Sequence, residues 1–173
     1  MPIATASQTI GPYWHLIEDP SWADLTRFGA EGERLSLGGT VTDGDGAPFA
    51  DVCIELWQAD PAATDRFPAF GRSRTDADGR YHFTTLKPGP VPGRGNTIQA
   101  PHFALWVLGR GLMRGLATRV YFAGEAGNET DPVLSSVEDP ARRATLIASA
   151  DGPSAWRFDI RLQGAGETVF FDV

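Results

Sequence analysis

Lysine is almost missing from this chain: Lys87 is the only one, and arginine carries the rest of the positive charge. With 15 basic against 22 acidic residues the formal charge is -7, which disfavours nucleic acid and anionic membrane surfaces as partners, because both are attracted by a positive field. Cysteine is equally scarce. The single Cys53 excludes an internal disulfide and fits a reducing compartment; inside Val52-Cys53-Ile54 it reads as a small buried hydrophobe rather than a nucleophile. No apolar run reaches the length that crosses a bilayer, and MPIATASQTIGPYW lacks the basic stretch followed by an apolar one that marks a secretory leader. The expected location is therefore cytoplasmic. Histidine and tyrosine are short as well, limited to His15, His82, His102 and Tyr13, Tyr81, Tyr121, so a metal site built from imidazole and phenolate has few donors to draw on.

What the chain does have is strand-like patterning. Its 173 residues suffice for one domain with a sizeable core, and no composition break marks a second. Short alternating or apolar runs recur between turn signals: 35–43, 52–58, 80–86, 102–108, 117–122, 155–162 and 168–171. Asp43-Gly44-Asp45-Gly46 and Asp76-Ala77-Asp78-Gly79 are turn sequences. One helix is expected at about 140–149, with Asp139 as N-cap and Pro140 in the first turn. The segment 87–100 is expected to be loop, since its proline and glycine density opposes strand pairing. The pattern predicts an all-β, antiparallel β-sandwich with long loops and one short helix in the C-terminal third, a single domain over 1–173 with an N-terminal arm of about 1–30.

Part of this pattern is shared widely. Gly39-Thr40-Val41-Thr42-Asp43, Val52-Cys53-Ile54-Glu55-Leu56-Trp57 and Thr75-Asp76-Ala77-Asp78-Gly79-Arg80-Tyr81-His82-Phe83 would also suit transthyretin-like sandwiches that bind a small ligand or scaffold an assembly. Ser7-Gln8-Thr9-Ile10-Gly11-Pro12-Tyr13, the strand end Trp57-Gln58-Ala59, the stretch LKPGPVPGRGNTIQAPHFALWVLG from Leu86 to Gly109, and the run from Trp156 to Asp172 move the choice. With them nearly the whole chain resembles the intradiol ring-cleavage dioxygenases.

The resemblance implies a definite metal site, and a damaged one. Family members hold a ferric ion with two tyrosinates and two histidines, one tyrosine in a KPGPYP-like turn and the histidines as His-x-His on the next strand, where the period of two throws both imidazoles onto one face. Here Val91 stands in the turn, His102 is kept, and Ala104 occupies the second histidine position. The other tyrosine belongs to the loop after Trp57-Gln58-Ala59, which runs through Asp60 to Phe67 without one. Phenolate is a hard anionic donor suited to ferric iron, and neither Val91 nor Phe67 replaces it. No metal is therefore expected in this chain. A self-sufficient enzyme with unusual ligands and a ligand-binding sandwich remain the competing readings.

Within the family the chain is similar to the alpha chains of two-chain members, in which a homologous catalytic beta chain holds the ferric iron. Those complexes insert dioxygen into protocatechuate to give 3-carboxy-cis,cis-muconate. The resemblance implies a hetero-oligomer in which this chain completes the pocket of its partner. Thr9, Gly11, Pro12 and Tyr13, on an arm reaching the beta site, and Arg119, whose guanidinium could meet the substrate carboxylate, are the candidate substrate-binding residues. No residue of this chain is expected to be catalytic.

Overall fold

A computed structural model describes residues 9–172; the first eight positions of the expected arm, Ser7 and Gln8 among them, lie outside the described residues. The regular structure is mostly strand: β1 (Arg34–Thr42), β2 (Cys53–Trp57), β3 (Phe70–Arg74), β4 (Arg80–Leu86), β5 (Val91–Pro92), β6 (Ile98–Gln99), β7 (His102–Leu108), β8 (Leu116–Phe122), β9 (Ile147–Ala150), β10 (Ala155–Arg157) and β11 (Ile160–Arg161), with two short α-helices, α1 (Pro132–Ser135) and α2 (Pro140–Ala144). A continuous sheet runs β4-β1-β10-β9-β8-β7-β2-β3, and β11 continues the β10 edge of β1. The sheet folds over until its end strands β3 and β4 approach, bridged by the His82 amide donating to Ser73 Oγ at 3.3 Å.

Alternation explains which residues fill the space between the two layers. In β4 Tyr81 and Phe83 are buried while Arg80 and His82 are exposed, and in β7 Phe103, Leu105 and Val107 are buried while Ala104 is exposed. Leu37, Val41, Ile54, Leu56, Phe83, Phe103, Val107, Val120, Phe122 and Ile160 have no exposed surface, so the core is contributed by strands of both layers. Cys53 is likewise fully buried, and burial pushes its thiol up to about 12, the opposite of an activated nucleophile.

Several boundaries depart from the sequence pattern. The pairing is mainly antiparallel, yet β10 and β11 run parallel to β1, and β9 runs parallel to β8. The expected single strand over 155–162 is broken at Phe158-Asp159, where the Phe158 amide bonds Gly38 and Asp159 Oδ1 accepts from the Thr40 amide. This crossing forces a glycine at 39, since a Cβ there would collide with the Phe158 carbonyl. The helix expected over 140–149 stops at Ala144: Asp139 caps it as anticipated, accepting from Ala141 N, but Ile147–Ala150 is β9, held between β8 and β10. Sheet pairing outweighs a local propensity that is weak in a helix this short. The segment 87–100, expected to be loop, contains the small hairpin of β5 and β6, with Pro92 at its edge, a position that needs no continued ladder. Strand β3 and helix α1 carry no alternation long enough to announce them. Of 168–171, only Phe171 pairs, with Ala117 on β8.

Candidate functional site

The outward face of β2, β7 and β8 is set by register. Trp57 lies opposite Ala104, which lies opposite Arg119; Glu55 lies opposite Trp106, which lies opposite Ala117; and His102 lies opposite Tyr121. Because paired residues share a face, one surface collects His102, Ala104, Trp106, Tyr121, Arg119, Ala117 and Trp57. Small side chains at 104 and 117 between two indoles leave a hollow of about 450 Å³, walled by Trp57, Trp106, Val133 and Phe171, with Arg119 facing into it. That volume is within the range of small-molecule pockets.

The two loops to which the resemblance assigns tyrosinates meet at the neighbouring end of the sheet. Gln58 is buried and spans the layers, accepting from Thr85 Oγ1 at 2.6 Å and donating to the Leu86 carbonyl at 3.2 Å. Asp60 Oδ2 accepts from the Gly89 amide at 2.8 Å. The Trp-Gln-Ala motif therefore survives as a structural clasp. Phe67 is buried, and Val91 is half-buried opposite Gln99 in the hairpin. The two loops are held together, and Val91, where the resemblance expects a tyrosine, carries only hydrocarbon.

Could His102 recruit other donors? Its Nδ1 lies 2.8 Å from the Ala100 carbonyl, and its ring stacks obliquely on Tyr121 with centroids 5.5 Å apart. Burial lowers its pKa, and the nearby Arg119 charge acts in the same direction against the hydrogen bond to Ala100. Tyr121 is fully buried and donates to Asp131 Oδ1 at 3.0 Å; burial raises its pKa, so it stays a phenol. Among the described residues no three His, Cys, Asp or Glu side chains converge on one point. The residues present do not fit a ferric centre, which needs anionic oxygen donors as well as imidazole. Ala104→His, which restores only the second imidazole, is expected to bring no tight ferric binding by metal analysis; stoichiometric iron in that single variant would show the donor inventory to be wrong.

Arg119 is held by a network that sequence reasoning missed. Its Nη1 donates to Gln99 Oε1 at 2.5 Å and lies 3.4 Å from the Tyr121 hydroxyl. Asp131, with no exposed surface, accepts from Tyr121 and from the amides of Val133 and Leu134 through Oδ1, and from the Ala100 amide through Oδ2. The signal for Asp131 was available: Asp131-Pro132 repeats the cap signature of Asp139-Pro140. Tyr121, two residues on from Arg119 in β8, shares its face by the period of two, whereas Gln99 had no signal, because only the fold brings the β5–β6 hairpin to Arg119.

The other candidates lie elsewhere. Thr9 Oγ1 donates to the Gly109 carbonyl at 3.2 Å, just beyond the end of β7 remote from His102. Gly11 adopts φ +77 with open space around it, a conformation that glycine tolerates. Tyr13 is 72% exposed, whereas Trp14 is buried and donates Nε1 to the Asp51 carbonyl at 3.2 Å. Of the five candidates, only Arg119 faces this chain's own hollow.

Comparison with known proteins fits this geometry. A family profile described as Dioxygenase matches residues 19–164. The chain is 41% identical to the protocatechuate 3,4-dioxygenase alpha chain of Pseudomonas putida, covering 97% of this chain and 96% of that one. It is 31% identical to the protocatechuate 3,4-dioxygenase beta chain of Burkholderia cepacia, over 94% of this chain and 77% of that one. Among solved structures, the dioxygenase domain of a dioxygenase carbohydrate-binding protein fusion from Streptomyces sp. SirexAA-E aligns with a TM-score of 0.64 at 30% identity, covering 93% of this chain and 99% of that one.

Proposed function

Because the chain belongs to the intradiol dioxygenase family, we propose that it is the alpha-type subunit of a protocatechuate 3,4-dioxygenase, binding no iron itself and completing the substrate pocket of a homologous beta-type chain that holds the ferric ion. One observation carries the reading: the loops of the family platform are still clasped by Gln58 and Asp60, while Val91, Ala104 and the 59–67 loop offer neither a tyrosinate nor a second imidazole. The iron of such a complex supplies the chemistry that activates the catechol toward dioxygen. The product is 3-carboxy-cis,cis-muconate, and the complex works in the cytoplasm; among the described residues no helix is long and apolar enough to cross a membrane.

The N-terminal arm is the part offered to the partner. It is tied down by Thr9 on Gly109, by Trp14 on Asp51, and by Arg74 Nε at 3.2 Å from Glu18. Yet Tyr13, Leu16 and Ile17 stay 72%, 71% and 72% exposed. An anchored segment that presents apolar side chains outward is what a permanent partner covers. In this reading Thr9, Gly11, Pro12 and Tyr13 line the beta pocket, and Arg119 is the cation available to an aromatic carboxylate.

Co-expression tests it. With a catalytic beta-type chain, this subunit is expected to copurify at one to one through high salt, because the contact is largely apolar; alone, it self-associates. Leu16→Asp with Ile17→Asp should cut recovery of the complex severely. A well-behaved monomer that ignores the beta chain would overturn the proposal.

A further inference from the structure

The geometry points to a second, metal-free binding site for an aromatic monocarboxylate in this chain's own hollow, with Arg119 as its counter-ion. The inference rests on the alpha-type reading and adds a site to it.

The hollow states its ligand by shape and charge. Its lining includes the aromatic side chains of Trp57, Trp106 and Phe171, and Ala104 and Ala117 leave room between them. Such a slot suits an aromatic ring. Arg119 is half-buried at its edge, and among the described residues it has no carboxylate partner. Of the acids nearby, Asp131 takes the Tyr121 hydroxyl and three backbone amides, and Asp172, which lines the rim of the hollow, is exposed to solvent and pairs with Arg114 at 3.2 Å. Nη1 is used by Gln99 and Tyr121, which fix the guanidinium plane and leave Nε and Nη2 for a ligand.

A half-buried cation lacking an anion is a deficit that one bound carboxylate fills. A single arginine among indoles matches a single negative charge; a phosphate dianion would be stripped of water without enough donors to replace it. The carboxylate therefore lies toward Arg119 and the ring between Trp57 and Trp106, with no bond made or broken. Gly115 supports the slot, since a Cβ there would collide with the Trp106 indole.

The test uses the assembled complex with a catalytic beta-type chain and benzoate, which has no phenol to bind iron. Calorimetric titration is expected to find one benzoate per alpha-beta pair that quenches tryptophan fluorescence and leaves the visible iron band unchanged. Arg119→Ala should weaken that binding roughly ten- to a hundredfold, the usual cost of a charge-assisted contact, with iron content and the visible band unchanged. Ala104→Phe, which fills the hollow from an exposed position and keeps Arg119, should abolish binding too, and neutral benzyl alcohol should not respond to Arg119→Ala. Two results overturn the inference: no such benzoate site, or Arg119→Ala lowering kcat/KM for protocatechuate but not for catechol. The second would place the cation in the partner's pocket and leave the subunit reading intact. If no complex forms, that reading falls, and the same titration on the full chain decides the hollow.

Discussion

Purified without a partner, the chain is expected to carry no stoichiometric iron, to be colourless and to turn over no protocatechuate, whereas assembly with a catalytic beta-type chain yields one iron per pair and activity. The difference is essentially all or none. The colour of these enzymes comes from tyrosinate-to-ferric charge transfer, and Val91, Ala104 and the 59–67 loop present hydrocarbon or polar groups where such donors would stand. Tyr121, the phenol nearest His102, cannot substitute while it donates to buried Asp131 and burial keeps its pKa high. Metal analysis, a visible spectrum and an oxygen-uptake assay on both preparations check this. A broad visible band with stoichiometric iron in the lone chain would refute it.

Asp131→Ala is expected to be the most damaging substitution for the fold around the hollow. The carboxylate is fully buried and caps α1, anchors the Ala100 amide ahead of β7 and holds the Tyr121 hydroxyl. Removing it strands four donors away from water, at about 3 to 5 kcal/mol after partial relaxation. For a domain of this size that lowers Tm by roughly 10 °C or more. Asp131→Asn keeps one carbonyl acceptor and should lose less. Thermal denaturation of the assembled complex measures both, and a drop below about 1 kcal/mol for the alanine variant would show the network to be incidental.

Elements with long, regular alternation were legible in the sequence. Strands β1, β4 and β7 could be placed because buried and more exposed residues alternate along much of each one, and β8 because it is a short apolar run between turn signals. Tyr81 and His82 fall on opposite faces as a period of two requires. The Asp139-Pro140 cap was equally plain, but the end of α2 was not, since Leu146 and Ile147 serve helix and strand alike and only pairing with β8 decides between them. Five-residue β3 and the parallel course of β10 and β11 depend on neighbours far away in the chain.

The same division holds at the site. The sequence by itself determined that Val91 and Ala104 stand where the resemblance implies a tyrosine and a second histidine, because donor chemistry is a property of residue type and needs no coordinates. Tertiary structure alone decided what surrounds His102 and Ala104. Arg119 meets Gln99 and Tyr121, Tyr121 meets Asp131, and Phe171 closes the hollow by pairing with Ala117. The Arg119–Gln99 and Tyr121–Asp131 contacts join β8 to other segments of the chain, and the Phe171–Ala117 pair depends on register, where a shift of one residue would turn the side chain to the other face.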